Sequence, residues 1–524
     1  MKSQASDISG GFVRTVTLSP PRPGDNTADA ERLARALSEG FGGRDVTVDF
    51  PVLPGLSATL RESGFRARAV LFPRGRGLSV IAVEAPGHPA PVLGLAVDLG
   101  TTRVVLRLID MESGRVLGES AGDNPQVAAG PDVLARVHFA ESGEGLAELK
   151  SAIAGFIGGE AEKLAKAAGC GAERILCAAV AGNTVMSHLF LGLPPRTLIR
   201  EPYIPVTNRP GAIPAADLGL GFAPGALVFV FPNVGSYFGG DLVSGILAVG
   251  LDRAQKPLMM ADVGTNAEVV VGCADWMVGC AGAAGPALEG GVSRMGTVAV
   301  AGAIERVDLD PDSGGMTYST IGGLAPVGIC GSGVIDLAAC LFLSGRMDIR
   351  GKLVKERCGE RMVTREGLPA FLLAPASESG AGRDLCFTQA DLDSLTRSKA
   401  AMYTILSTLI RTVGLEFEDL DAFYVAGAFG SFIRPESAVA IGMIPDLPLS
   451  SYRAAGNTSL AGAELVLKSP ADLFRVDEVA AKITYIELNV NQEFMNRFSA
   501  AKFYPHTDIA RFPTVAALLA QRKA

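Results

Sequence analysis

One short pattern occurs twice in this chain. Ala96-Val97-Asp98-Leu99-Gly100-Thr101-Thr102 is echoed 164 positions later by Ala261-Asp262-Val263-Gly264-Thr265-Asn266. In each copy an apolar strand (92–97; 257–261) closes on an Asp, a tight Gly turn follows, and a second strand (104–110; 267–272) returns. A glycine without a Cβ lets backbone N–H groups approach phosphate oxygens, and flanking hydroxyls add donors. A carboxylate at the strand end can hold Mg²⁺ through water, because that ion keeps most of its hydration shell and takes one or two protein carboxylates. A single Asp-x-Gly-Thr is weak, since turns everywhere use Asp and Gly. Two copies, each between apolar strands, predict a duplicated fold that grips one nucleotide from both sides. The bland alternative is two unrelated hairpins.

At 524 residues the chain exceeds the size at which single cores stop growing, so two to four domains are expected. Aromatics are only 6% of residues, so the core must be built from Ala, Val, Leu and Ile. The 63 glycines are interleaved with apolar strands and read as tight turns rather than disorder. A net charge of −8 argues against nucleic acid or an anionic membrane as partner. The first residues, Met1-Lys2-Ser3-Gln4, start no apolar run, and the most apolar window, 226–251, is broken by Pro232 and Asp241. A cytoplasmic protein is expected. The eight cysteines, at 170, 177, 273, 280, 330, 340, 358 and 386, form no Cys-x-x-Cys pair. That is neither a disulfide framework nor a ferredoxin or zinc pattern. The four histidines show no pair at helical spacing, so a His-based metal site is not expected.

Along the chain, 1–9 are expected to be a disordered tail and 10–88 a small α+β domain for dimerisation or docking. There Asp25-Asn26-Thr27 can cap a helix over 28–40, and a hairpin surrounds Pro73-Arg74-Gly75. Pro86-Gly87-His88-Pro89 has linker composition. The duplicated unit then divides into 93–255 and 256–524. In the first half, 146–168 has the pattern of an amphipathic helix and 175–180 that of a buried strand, ending at Gly182-Asn183-Thr184. A further strand, 227–231, leads to Gly239-Gly240-Asp241, where Asp241 can N-cap the next helix. In the second half, Gly331-Ser332-Gly333 opens a helix, 348–385 reads as charged loop, and Thr388 caps a helix to about 413. Strand 422–425 ends in Ala426-Gly427-Ala428-Phe429-Gly430.

This order of phosphate loop, strand with Gly-Gly-Asp helix, second phosphate loop, Gly-Ser-Gly helix and strand with Ala-Gly-Ala-Phe-Gly resembles the actin-like ATPase superfamily. The resemblance implies an α/β fold of duplicated ribonuclease-H-like subdomains closing on ATP and Mg²⁺. It implies that Asp98 and Asp262 are the Mg²⁺-water carboxylates, and that Gly100, Thr101, Thr102, Gly264, Thr265 and Asn266 contact phosphate. Gly427, Ala428 and Phe429 would wall the adenosine. Gly331, Ser332 and Gly333 either approach the nucleotide from a helix N-terminus or serve close packing. Asp241 lies 21 residues before Asp262, where sugar kinases of the superfamily place a catalytic carboxylate, and it could orient the attacking water. Glu289 is a second candidate, for ribose or water.

Further blocks narrow the resemblance to one branch. Asn124-Pro125-Gln126, Ala181-Gly182-Asn183-Thr184-Val185-Met186, Phe231-Pro232-Asn233-Val234, Ala284-Gly285-Pro286-Ala287-Leu288-Glu289-Gly290, Ile329-Cys330-Gly331-Ser332-Gly333 and Gly456-Asn457-Thr458-Ser459-Leu460 resemble the reductive activators of corrinoid proteins. Members use ATP to return an oxidised cobalt(II) corrinoid, held by a methyl-transferring partner, to cobalt(I). Members usually carry an iron–sulfur domain, yet here neither the first ninety residues nor the tail holds a Cys. No intrinsic iron–sulfur cluster is therefore expected; either a separate ferredoxin or other low-potential reductant supplies the electron, or the family activity has drifted. The implied protein is a homodimeric ATPase acting on a corrinoid partner. A small-metabolite kinase and a nucleotide-sensing scaffold remain as alternatives.

Overall fold

The computed structural model describes residues 11–75, 77–264, 266–283, 295–310, 315–487 and 492–521. The expected tail 1–9, Thr265 and Glu289 lie outside them. The chain groups into two compact units, one of Met1–Gly250 with Thr458–Ile483 and one of Leu251–Asn457 with Thr484–Ala524.

The first unit opens on a four-stranded sheet of β1 (Val13–Thr17), β2 (Val46–Val48), β3 (Arg66–Arg74) and β4 (Gly77–Glu84), in the order β1-β3-β4-β2. Leu33 and Leu37, four apart on helix Asp29–Glu39, are both buried and give the helix one apolar face. The expected cap is corrected. The N-cap is Ala28, with no side-chain bond, because the Asp25 carboxylate is engaged by the Thr27 amide and by Arg32 at 2.6 Å.

The main sheet of this unit holds β5 (Leu93–Leu99), β6 (Arg103–Asp110), β7 (Val116–Asp123), β8 (Ile175–Gly182), β9 (Gly211–Pro214) and β10 (Leu227–Val230). Its order is β7-β6-β5-β8-β10-β9. β5, β6 and β7 are antiparallel neighbours, and β5, β8 and β10 run parallel. Every residue of β8 is buried, as a parallel strand covered on both faces requires. Helix Gly143–Ala167 starts where Ser142 accepts the Gly145 amide and buries Leu149, Ile153 and Ile157. Helix Thr458–Lys468 also belongs to this unit. A Cβ on Gly462 would stand 2.1 Å from the Ser244 carbonyl oxygen, so only glycine lets this helix meet Gly240–Val249. The Ser244 hydroxyl donates to Ser459 O at 2.7 Å, and Arg107 on β6 pairs with Glu464 at 2.5 Å.

The second unit repeats the plan. It contains β11 (Leu258–Val263), β12 (Asn266–Gly272), β13 (Met277–Ala283), β14 (Ala303–Leu309), β15 (Met316–Thr320), β16 (Gly328–Ile329), β17 (Met362–Arg365), β18 (Leu368–Ala374), β19 (Leu385–Thr388), β20 (Ala422–Ala426), β21 (Tyr452–Gly456) and β22 (Ile483–Tyr485). The main sheet runs β21-β20-β11-β12-β13-β22. β11 is antiparallel to β12, as is β12 to β13, while β11, β20 and β21 run parallel. Strand for strand, β5, β6, β7, β8 and β10 of the first unit correspond to β11, β12, β13, β20 and β21 of the second. This is the duplicated actin-like ATPase architecture that the repeated hairpins imply.

Two small sheets are added, β15-β14-β16 and β17-β18-β19. The second corrects the reading of 348–385 as loop. Arg365-Glu366-Gly367-Leu368 is a two-residue hairpin turn with φ of 51° at Glu366 and 77° at Gly367, the left-handed pair that tight hairpins select. The charges around it hid the apolar run Phe371-Leu372-Leu373-Ala374. Helix Gln389–Thr412 starts at Thr388 through a capping box with Asp391. It is buried along most of its length in the core of this unit.

Candidate functional site

In both units the repeated Asp ends the central strand at the same register point. Asp98 on β5 pairs with Val105 of β6 and Ala181 of β8. Asp262 on β11 pairs with Glu268 of β12 and Ala426 of β20. Each is half-buried, beside a neighbour on the parallel strand that is followed by glycine, Gly182 or Gly427. Ligands of open α/β sheets bind at these carboxyl ends, where loops diverge and backbone amides are free of the ladder.

The first turn allows no side chain. A Cβ on Gly100 would lie 2.3 Å from the Arg103 carbonyl oxygen. Two asparagines hold the turn in place. Asn124 donates its amide to Gly100 O at 2.8 Å, and its own backbone N–H reaches Thr102 O at 2.7 Å. Asn183 donates from Nδ2 to the Thr101 hydroxyl at 3.0 Å, while its Oδ1 accepts the Met186 amide and caps helix Thr184–Leu191. The hydroxyl of Thr101 is thereby oriented, and Thr102 is exposed. These asparagines stand among the quoted motifs, but the sequence offered no reason to give them a supporting role. The signal was an Asn directly after a strand in both cases.

Asn183 also links this turn to Asp241. The Asn183 Cα sits where a Cβ on Gly239 would come within 2.4 Å, and the same Cβ would stand 2.6 Å from Asp241 Oδ1. A Cβ on Gly240 would meet Phe231 at 2.7 Å. The two glycines thus let the helix N-terminus settle against the ends of β8 and β10. The N-cap reading of Asp241 is corrected. Helix Gly240–Val249 has Gly239 as N-cap, and Asp241 occupies its second position, with Oδ1 accepting the Leu242 amide at 2.9 Å. Its half-buried carboxylate therefore faces the same sheet edge as the Thr101 turn. Asn233, just past β10, is 3% exposed, and neither its Oδ1 nor its Nδ2 has a partner within the protein. A buried amide of this kind is costly unless something else satisfies it.

The second turn is built differently. A Cβ on Gly427 would come within 2.9 Å of Asp262 Oδ1, and its φ is +73°. Gly427 opens helix Gly427–Phe432, which contains Ala428 and Phe429. The Gly427-Ala428-Phe429-Gly430 run after the strand is therefore a short helix whose first residue abuts the carboxylate. Asn266 is the first residue of β12, and Gly264 precedes it in the turn. Gly331, Ser332 and Gly333 are the first three residues of helix Gly331–Leu343. There the packing role is visible, since a Cβ on Gly333 would stand 2.4 Å from Ile304 O and the Ser332 hydroxyl donates to Glu305 O at 3.0 Å. The helix is fixed by Asp336, 2% exposed, paired with Arg434 at 2.7 Å. Desolvation opposes the Arg434 charge, but the carboxylates of Asp336 and Asp308 outweigh it and push that guanidinium pKa up.

The residues present fit MgATP. Each unit supplies a strand-end carboxylate, and the first adds a turn with no room for a Cβ at Gly100 and the unpartnered buried amide of Asn233, group types that suit a hydrated Mg²⁺ and phosphates. Among the described residues no three His, Cys, Asp or Glu side chains converge as metal ligands, and no helix is long and apolar enough to cross a membrane. Burial pushes the Cys280 thiol up to about 12, with Glu268 adding to it, and raises Cys177 as well. Both side chains are buried.

Comparison with known proteins covers nearly the whole chain. Three family models match in sequence order: the RACo linker region over residues 12–89, the RACo middle region over 93–254, and the C-terminal domain of RACo, the ASKHA domain, over 256–516. The corrinoid activation enzyme RamQ of Eubacterium limosum is 33% identical over 460 residues, 86% of this chain and 77% of that protein. The [Co(II) methylated amine-specific corrinoid protein] reductase of Methanosarcina barkeri is 26% identical over 440 residues, 77% of this chain and 75% of that one. A solved reductive activator for corrinoid, iron–sulfur protein superposes with a TM-score of 0.83 at 37% identity, over 96% of this chain and 81% of that one.

Proposed function

Because the chain belongs to the RACo family, we propose that it is an ATP-dependent activator of a corrinoid methyl-transfer protein, assisting reduction of cobalt(II) to cobalt(I) with an electron from outside the chain. The observation that carries the nucleotide half of this reading is the strand-for-strand repeat with an Asp at the same register point of each sheet. The corrinoid half rests on what the relatives are named for.

In this reading Asp98 and Asp262 hold the waters of Mg²⁺, and the turns at Gly100–Thr102 and Gly264–Asn266 hold phosphates through backbone amides and hydroxyls. Gly427, Ala428 and Phe429 lie against the adenosine. MgATP supplies a phosphoanhydride whose hydrolysis drives the cycle. Asp241, at the second position of helix Gly240–Val249, accepts a hydrogen bond from the attacking water and orients it. The corrinoid partner is the substrate. A difference of about 1.4 kcal/mol in how the complex stabilises the two cobalt states moves a one-electron potential by about 59 mV.

The reading includes a cytoplasmic homodimer without its own cluster, served by a ferredoxin or other low-potential donor. The N-terminal α+β domain is its dimerisation or docking surface, which the 79% exposure of Phe50 supports. The test is paired. Anaerobically purified and reconstituted protein is expected to hold no stoichiometric iron and to show no charge-transfer bands. Its ATP hydrolysis is expected to rise when a cobalt(II) corrinoid protein is added. Two or four irons per chain surviving gel filtration would return the electron-transfer role to this chain. Phosphate arriving on a small acceptor instead of water would make it a kinase.

A further inference from the structure

Far from the two hairpins in sequence, the second unit contains a cavity of about 240 Å³. It lies between the C-terminal half of helix Gln389–Thr412 and the chain from helix Gln492–Ala501 to Arg511. Its described polar lining is Tyr403, Ser407, Arg411, Arg497, His506 and Arg511, with Ala500 beside them. None of these carries a carboxylate. Three are guanidiniums, which have donors and no acceptor.

The local bonds make the lining more uniform still. His506 Nδ1 accepts the Asp508 backbone N–H at 3.0 Å, so in the neutral ring Nε2 carries the proton and is a donor. Burial, with the Arg511 and Lys399 charges nearby, brings His506 down to about 4, so the neutral ring prevails at neutral pH. Beneath it Lys399 is fully buried and donates to Phe503 O and Pro505 O, which holds the 503–506 backbone in place. Arg497 donates to Ser407 O at 2.9 Å, tying the two helices together. Among the described carboxylates, Asp508 pairs with Arg511 at 3.3 Å, and Glu418 acts on Tyr403 from a distance. Three guanidiniums, one of them paired with Asp508, and the His506 donor line a hollow that is small for an organic cofactor and suited to a compact anion. Planar guanidiniums in a cluster match the oxygens of a phosphate group.

We propose that this cavity is an anion site, separate from the nucleotide hairpins, that takes a small dianion with a phosphate group. The occupant is inorganic phosphate or a phosphomonoester, held by Arg411, Arg497 and Arg511 with help from His506 Nε2–H. The proposal does not rest on the corrinoid reading and is tested apart from it. The full chain, saturated with a Mg²⁺ complex of a non-hydrolysable ATP analogue to occupy the hairpins, is titrated by calorimetry with inorganic phosphate and, in a second arm, with glycerol 3-phosphate. One site per chain is expected. Arg411→Gln should weaken it by about tenfold or more, and Arg411→Gln with Arg497→Gln should abolish it, both with unchanged affinity for MgATP. Arg411→Lys, which keeps the charge, should recover part of the loss. Because Arg497 joins two helices, Arg411→Gln alone is the decisive variant should the double variant fail to fold. Tighter binding of glycerol 3-phosphate would identify the occupant as a phosphomonoester, and tighter binding of phosphate as the free ion. Absence of binding in both arms, or equal binding by wild type and Arg411→Gln, overturns the site.

Discussion

Asp262→Ala should lose Mg²⁺-dependent ATP binding while the chain stays folded. The carboxylate ends β11 half-buried, and a Cβ on residue 427 would stand 2.9 Å from its Oδ1. Removing it takes the strand-end charge from the second turn and leaves the core members Ala261 and Val263 that flank it in place. Loss of a group that orients a metal's ligands lowers metal affinity by about 10–100-fold, and loss of the carboxylate holding the hydrated ion should reach at least that. Calorimetry with and without Mg²⁺ reads the effect, and thermal unfolding checks the fold. Unchanged MgATP affinity in a folded variant would remove Asp262 from the site. Asp98→Ala should behave in the same way, because Asp98 occupies the same register point of the first sheet.

Asp241→Asn separates binding from turnover. The second helical position and a bond from the Leu242 amide can survive the substitution, because an Asn Oδ1 is also an acceptor, though a weaker one than a carboxylate oxygen. What is lost is the negative charge, and with it the ability to polarise an attacking water. Nucleotide affinity should hold within a few-fold while hydrolysis falls by a factor of order 10²–10⁴, the range for a lost acid–base group. If turnover holds and only the unfolding midpoint drops, Asp241 serves the helix N-terminus, where an acidic residue contributes about 0.3–1 kcal/mol.

The fold was legible because its strongest signals are local. Each Asp-x-Gly hairpin is written in one run of residues, and the order of strands and helices after it follows from apolar periods. The sequence could not disclose which residues meet across long separations. Thr458–Ile483 lies two hundred residues beyond the first unit, yet it folds within it because Gly462 lets one backbone rest on Ser244. That contact has no periodic signature. Asp241 was legible as a candidate, but its helical position depends on how Gly239 meets Asn183. The roles of Asn124 and Asn183 as braces of the first turn are side-chain bonds over 24 and 82 positions. The β17–β18 hairpin was missed for a different reason. Its turn residues, Glu366-Gly367, were visible, but the surrounding charges outweighed them in a reading based on polarity.

We propose that ATP hydrolysis by this chain drives cobalt(II) to cobalt(I) on a separate protein. Electron paramagnetic resonance of a cobalt(II) corrinoid protein, mixed anaerobically with this chain, MgATP and reduced ferredoxin, tests it most directly. The cobalt(II) signal should disappear only when all components are present. It should persist when a non-hydrolysable analogue replaces ATP or when Asp241→Asn replaces the wild type. Loss of the signal without ATP, or ATP turnover that leaves cobalt(II) untouched in the presence of the reductant, would contradict it.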